Sequence, residues 1–246
     1  MKFTIALCSM LLIITACGKK DQASEPADKD YIEEERPKIS WFGTIDTVSP
    51  ETEVSRKNFY IIFDGSGSMK GNKLSVAKKA LKKFIKAIPE ESNIGLYAFD
   101  RHGISERAKL GSARKLIESK VDLITAGGAT PLGRSVKDAF GKMKKQAQSQ
   151  LGYGDYNLVI ITDGKATDSS ILKGAVDMVL KTSPVIIHTI GFKIGTDHVL
   201  NQPGRILYKT ASNYEELSRG LEKVLAETED FTVFDFDENQ FKTKTR

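Results

Sequence analysis

A doubly wound α/β fold, with a mostly parallel central sheet flanked by helices, is predicted by three features of the sequence. Short continuous apolar runs, Phe59–Phe63 and Leu158–Thr162, have the length and composition of strands buried on both faces. Between such runs lie segments whose apolar residues recur at helical spacing, the clearest being Leu74, Ala77, Leu81, Phe84, Ile85 and Ile88. Strand and helix patterns then alternate along the chain, the order that builds βαβ units.

Before the first strand the chain carries a different signal. Lys2 is a positive start, and Phe3 to Ala16 is a charge-free, mostly apolar run of 14 residues. A bilayer span needs about 20 residues, so the run suits a signal-peptide core instead. It ends Ile14-Thr15-Ala16-Cys17, which resembles a bacterial lipobox. Residues 1–16 are expected to be removed and Cys17 lipidated. That places the protein on the cell envelope; Gly18 after the cysteine resembles lipoproteins at the periplasmic face of an outer membrane. The mature charge is then 36 − 32 = +4, and with Cys8 removed no disulfide forms. Gly18 to Asp30 is a polar tether reaching about 20 Å. Tyr31 to Lys57, with Trp41 and Phe42, reads as an arm laid on the domain or as an exposed epitope. Residues 17–57 thus precede a domain over 58–228, and 229–246 form a tail.

Within the domain, Lys78, Lys79, Lys82, Lys83 and Lys86 occupy the solvated face of the 74–88 helix. Ile94 to Phe99 is a second strand, Glu106 to Leu110 a short edge strand, and Ser112 caps a helix through Ile117. A helix opens near residue 132. Ile171 to Leu180 carries a helical stripe, Val185 to Ile190 a strand, and Ile206 to Tyr208 a last short one. Asn213 with Glu216 three residues on forms a capping box for a helix through Leu225.

In an open parallel sheet, ligands bind beyond the carboxyl ends of the strands. The first strand ends in Asp64-Gly-Ser66-Gly-Ser68 and the 158–162 strand in Asp163-Gly164; the loop before the helix near 132 reads Gly-Gly-Ala-Thr130-Pro-Leu-Gly. If the chain stays extended, Asp64, Ser66 and Ser68 point to one side, and Gly65 and Gly67 permit the turn. Oxygen-only donors suit a hard cation, Mg²⁺ first, with Mn²⁺ and Ca²⁺ as alternatives.

These pieces, in this order and separation, resemble the von Willebrand factor type A domain with a metal-ion-dependent adhesion site. The resemblance covers about Asn58 to Glu227. It implies one short antiparallel edge strand in the sheet. It also implies that Ser66, Ser68 and Thr130 touch the metal directly, while Asp64 and Asp163 act largely through bound water. The remaining coordination position is left for an Asp or Glu of a protein partner.

Other classes fit less well. A net charge of +5 with mixed signs argues against a nucleic-acid partner. A haloacid dehalogenase-type phosphatase needs a second aspartate where Ser66 stands, although Asp163 and Asp168 resemble its distal acidic pair. No Gly-Lys-Ser/Thr completes a P-loop. His102, His188 and His198 are scattered, and His188 falls in a core strand. The chain is therefore expected to be a binding protein without catalytic activity; a regulatory or assembly subunit of an envelope or transport complex is the alternative.

Overall fold

The computed structural model describes residues 53–229. The signal run, Cys17, the tether, Trp41, Phe42 and the tail from residue 230 lie outside the described residues. Six strands form one sheet: β1 (Asn58–Asp64), β2 (Asn93–Asp100), β3 (Gly103–Ala108), β4 (Tyr156–Thr162), β5 (Ile186–Phe192) and β6 (Leu207–Ala211). Their order is β3-β2-β1-β4-β5-β6, and every neighbouring pair is parallel except β2 and β3. Five helices complete the domain: α1 (Asn72–Ala87), α2 (Arg114–Asp122), α3 (Leu132–Ser149), α4 (Ser169–Thr182) and α5 (Tyr214–Glu229). The predicted doubly wound sheet with one antiparallel edge strand is observed.

Every residue of β1 is buried, because helices cover both faces of the sheet. Alternation sends Phe59, Ile61 and Phe63 into a core with α1, α2 and α5, where Leu81, Phe84, Ile117 and Leu221 meet them. Tyr60 and Ile62 face the opposite core, built from Val136, Phe140 and Met143 of α3 and Leu172 and Val176 of α4. Each such side chain contributes about 1.5–3 kcal/mol on burial. This two-sided burial accounts for the continuous apolar runs.

Two local readings are corrected. The edge strand runs over Gly103–Ala108, not 106–110: it is the return arm of a tight hairpin, with Asp100 opposite Gly103 and a register shift at Leu96/Tyr97. Gly103 adopts φ +95°, the backbone that such a reversal requires. Ser112 does not cap α2. Its N–H closes a turn onto the Lys109 carbonyl, Ala113 holds the cap position, and α2 continues to Asp122 so that Val121 joins Ile117 in the core. The lysine face of α1 is solvent-facing as read, and its charges pair across the surface: Lys82 bonds the Asp122 carboxylate, Lys83 pairs with Glu222, and Lys79 stands over the Tyr214 ring.

The capping box at α5 is present. The Glu216 N–H donates to Asn213 Oδ1 at 2.9 Å, and Glu216 Oε2 accepts from the Ser212 N–H at 2.7 Å. The described end of the arm is laid on the domain, since Gln150 Nε2 donates to the carbonyls of Val54 and Arg56. Strand order reverses between β1 and β4, and the crevice at their carboxyl ends is where such a sheet takes a ligand. Among the described residues, no helix is long and apolar enough to cross a membrane.

Candidate metal centre

Asp64 is the last residue of β1 and is fully buried. Its Oδ1 accepts from the Ser66 N–H at 2.8 Å and its Oδ2 from the Thr162 hydroxyl at 2.6 Å. The chain does not remain extended beyond it: Gly67–Met69 form a short 3₁₀ turn, with Met69 anchored in the core. Ser66 and Ser68 therefore converge through a turn rather than through strand alternation, and their Oγ atoms lie 3.0 Å apart. Ser68 Oγ donates to Asp163 Oδ1 at 2.6 Å. Thr130 completes the group from the loop before α3. A Cβ added at Gly164 would lie 3.6 Å from Ser68 Oγ and 3.9 Å from Thr130 Oγ1, so glycine there keeps the space between the hydroxyls open. The structure thus brings all five sequence-predicted residues to one crevice.

The loops are held by contacts that the sequence did not disclose. Gly67 N–H donates to the Gly128 carbonyl, and Gly127 N–H to that of Gly65, joining the Ser66–Ser68 turn to the Thr130 loop. Gly128 sits at φ +80° to make this approach. Gly65 is required for packing rather than for turning, since a Cβ there would lie 2.7 Å from Ile124 Cγ2 and 2.8 Å from Asp100 Cβ. The Thr130 carbonyl accepts from Thr167 N–H at 2.9 Å. Asp168 caps α3 from outside, with its two carboxylate oxygens on the N–H groups of Gly133 and Arg134, each at 2.9 Å. Its carboxylate is thereby accounted for as a loop clamp.

Burial pushes the Asp64 carboxyl above the usual carboxylate range. The hydrogen bonds from Ser66 and Thr162 act against that rise, and the Asp163 charge adds to it. A carboxylate so placed is stabilised by a cation close by. The neighbouring Asp163, not Asp64, meets a cation of the chain itself: Lys73 Nζ donates to Asp163 Oδ2 at 2.7 Å.

The donor set fits a small hard cation. Two oxygens each about 2.1 Å from one octahedral Mg²⁺ lie about 3.0 Å apart, and the Ser66 and Ser68 oxygens are separated by 3.0 Å. Among the described residues no three His, Cys, Asp or Glu side chains gather into a metal cluster. The crevice is instead made of hydroxyls backed by two carboxylates. The histidines are engaged elsewhere: His188 is buried against Asn157, His102 bonds Thr125 on the surface, and His198 bonds the Gly164 carbonyl beside the crevice.

The sequence profile of the von Willebrand factor type A domain matches residues 58–233. The chain belongs to this family, abbreviated VWA. A von Willebrand factor A domain-containing protein of Dictyostelium discoideum is 25% identical over 188 residues, covering 74% of this chain but 19% of that protein. The pilus adhesin SpaC of Lactobacillus rhamnosus GG superposes with a TM-score of 0.58 at 16% identity, covering 72% of this chain and 30% of the adhesin. The manganese-loaded TRAP protein of Plasmodium vivax gives a TM-score of 0.51 at 18% identity, over 68% of this chain and 72% of that one. At these identities the solved structures establish the VWA fold of this chain.

Proposed function

We propose that this VWA domain is a lipid-anchored envelope module that binds a protein partner through a divalent metal, Mg²⁺ first, bridged to a partner Asp or Glu. One observation carries the reading: three hydroxyl side chains, two of them 3.0 Å apart, meet at the switch point of the sheet with two carboxylates beside them. Ser66, Ser68 and Thr130 would hold the cation, and their neutral oxygens leave its charge largely unspent. The bound metal supplies a Lewis-acidic point for one more carboxylate. Asp64 and Asp163 balance the charge from behind, each positioned by a hydroxyl.

The rim of the crevice supports an anionic partner. Lys70, Arg101 and Lys165 are exposed just beyond the carboxyl ends of β1, β2 and β4, Lys165 paired with Asp197, and Arg134 is exposed in the first turn of α3. A basic rim of this kind speeds encounter with an acidic surface and makes it salt-sensitive. The manganese-loaded TRAP protein and the pilus adhesin share this fold, one carrying a divalent metal and the other being an adhesin, and they support the reading by fold analogy alone. The proposed role is binding without turnover, Asp168 being committed to the α3 cap. Two acyl groups on Cys17 would anchor the chain stably, where one would not.

The test is affinity capture from cell envelopes by wild type, Ser66→Ala and Thr130→Ala, each in Mg²⁺, in Ca²⁺ and in chelator. The proposal expects capture in metal alone and its loss in both variants. Capture that survives chelator and both substitutions contradicts it. Labelled palmitate should enter the wild type and not Cys17→Ser.

A further inference from the structure

We infer that Lys73 is a built-in counter-cation that competes with the divalent ion for Asp163, and so sets the metal concentration at which the site can take a partner carboxylate. The inference rests on the metal-bridging reading of the crevice. Asp163 has a fully buried side chain, and both its oxygens are engaged: Oδ1 by the Ser68 hydroxyl, Oδ2 by the Lys73 ammonium at 2.7 Å. A cation held on Ser68 would stand close to that ammonium, with like charges facing each other across one carboxylate.

The position of Lys73 strengthens the case. It is the second residue of α1, whose first turn holds no acidic residue. A lysine there faces the positive end of the helix dipole, which disfavours it. Other lysines of α1 reach acceptors on neighbouring helices, Lys82 on α2 and Lys83 on α5. Lys73 turns instead to the metal crevice. A residue that breaks the local helix rule and turns into a site is expected where it serves that site. Its side chain is 30% exposed, so the ammonium has a route to solvent when a stronger cation takes the carboxylate. The crevice therefore has two states, one in which lysine compensates Asp163 and one in which the divalent ion does, and only the second can recruit a further anion.

Mn²⁺ binding to the full chain by titration calorimetry distinguishes the outcomes, for wild type, Lys73→Met, Lys73→Gln and Lys73→Arg. Removing the competing charge in either neutral variant should tighten Mn²⁺ binding about tenfold or more, while Lys73→Arg stays near wild type. The neutral variants should also melt lower than wild type in chelator, because Asp163 loses its cation. Mn²⁺ affinity unchanged or weaker in both neutral variants, with wild type binding, overturns the inference. Absence of Mn²⁺ binding in every protein, wild type included, overturns the metal reading on which it stands.

Discussion

At the amino ends of the strands Asn58, Asn93 and Asn157 are buried as completely as Asp64, Ser66 and Thr130 are at the carboxyl ends. The two sets differ in what satisfies them. Asn58 Nδ2 donates to the carbonyls of Arg56 and Asp155, and its Oδ1 accepts from Asn93 Nδ2 at 3.0 Å. Asn157 Oδ1 faces His188 Nε2 at 3.0 Å. Neutral amides can donate and accept, so Asn58 and Asn93 satisfy each other without any charge, although Asn157 Nδ2 and His188 Nδ1 are buried without a hydrogen-bond partner. At the other end stand hydroxyls that donate to two carboxylates, whose negative charge is met by Lys73 alone among the described residues. Burial by itself does not mark function. A buried polar set carrying carboxylate charge that a cation would balance points to binding, whereas a buried set of neutral amides points to structure.

That contrast is open to attack from either end. The largest expected effect is at the amino end, in acid. Burial holds the His188 ring down at about 4, against about 6.5 in an unfolded chain. Between those values the unfolded chain binds a proton that the folded chain refuses, so stability falls as pH drops from about 6.5 to 4. The loss is at most about 3 kcal/mol, reduced by Glu227, whose Oε2 lies 3.5 Å from Nδ1. Urea unfolding at pH 7 and pH 4.5 should show this loss in wild type and a smaller one in His188→Gln.

Next is Asn58→Ala, which leaves Asn93 Nδ2 without its acceptor. It should cost about 1–3 kcal/mol of stability while Mg²⁺ affinity in the folded protein stays unchanged. The smallest change in stability belongs to the carboxyl end. Ser66→Ala and Thr130→Ala should each alter unfolding free energy by less than about 1 kcal/mol yet abolish metal binding measured by calorimetry. An asparagine variant that weakens metal binding, or a hydroxyl variant that destabilises the domain while still binding metal, would erase the distinction.

The sequence discloses the carboxyl end more fully than the amino end, for physical reasons. Strands buried on both faces must be continuously apolar, so Phe59–Phe63 and Leu158–Thr162 stand out, and the oxygen-bearing residues that follow them are conspicuous. Asn58 and Asn93 look like ordinary polar boundaries, because their bonds run to residues distant in the chain. Lys73 is hidden for the same reason: it is one lysine among several on α1, and only the fold brings it to Asp163, 90 residues on. The β3 register and the role of Gly65 depend on a hairpin and on Ile124 packing, which local pattern does not encode.

The most direct test of the central claim is the melting temperature of wild type and Asp64→Asn as Mg²⁺ is titrated against chelator. A ligand bound only by the folded state contributes about 2.7 kcal/mol at 100-fold over its Kd, which for a domain of this size raises Tm by about 5–10 °C. Wild type should show that rise. Asp64→Asn should show none, and in chelator it should melt no lower than wild type, because burial already disfavours the ionised Asp64. No rise in wild type, or a full rise in Asp64→Asn, would contradict a metal held by this crevice.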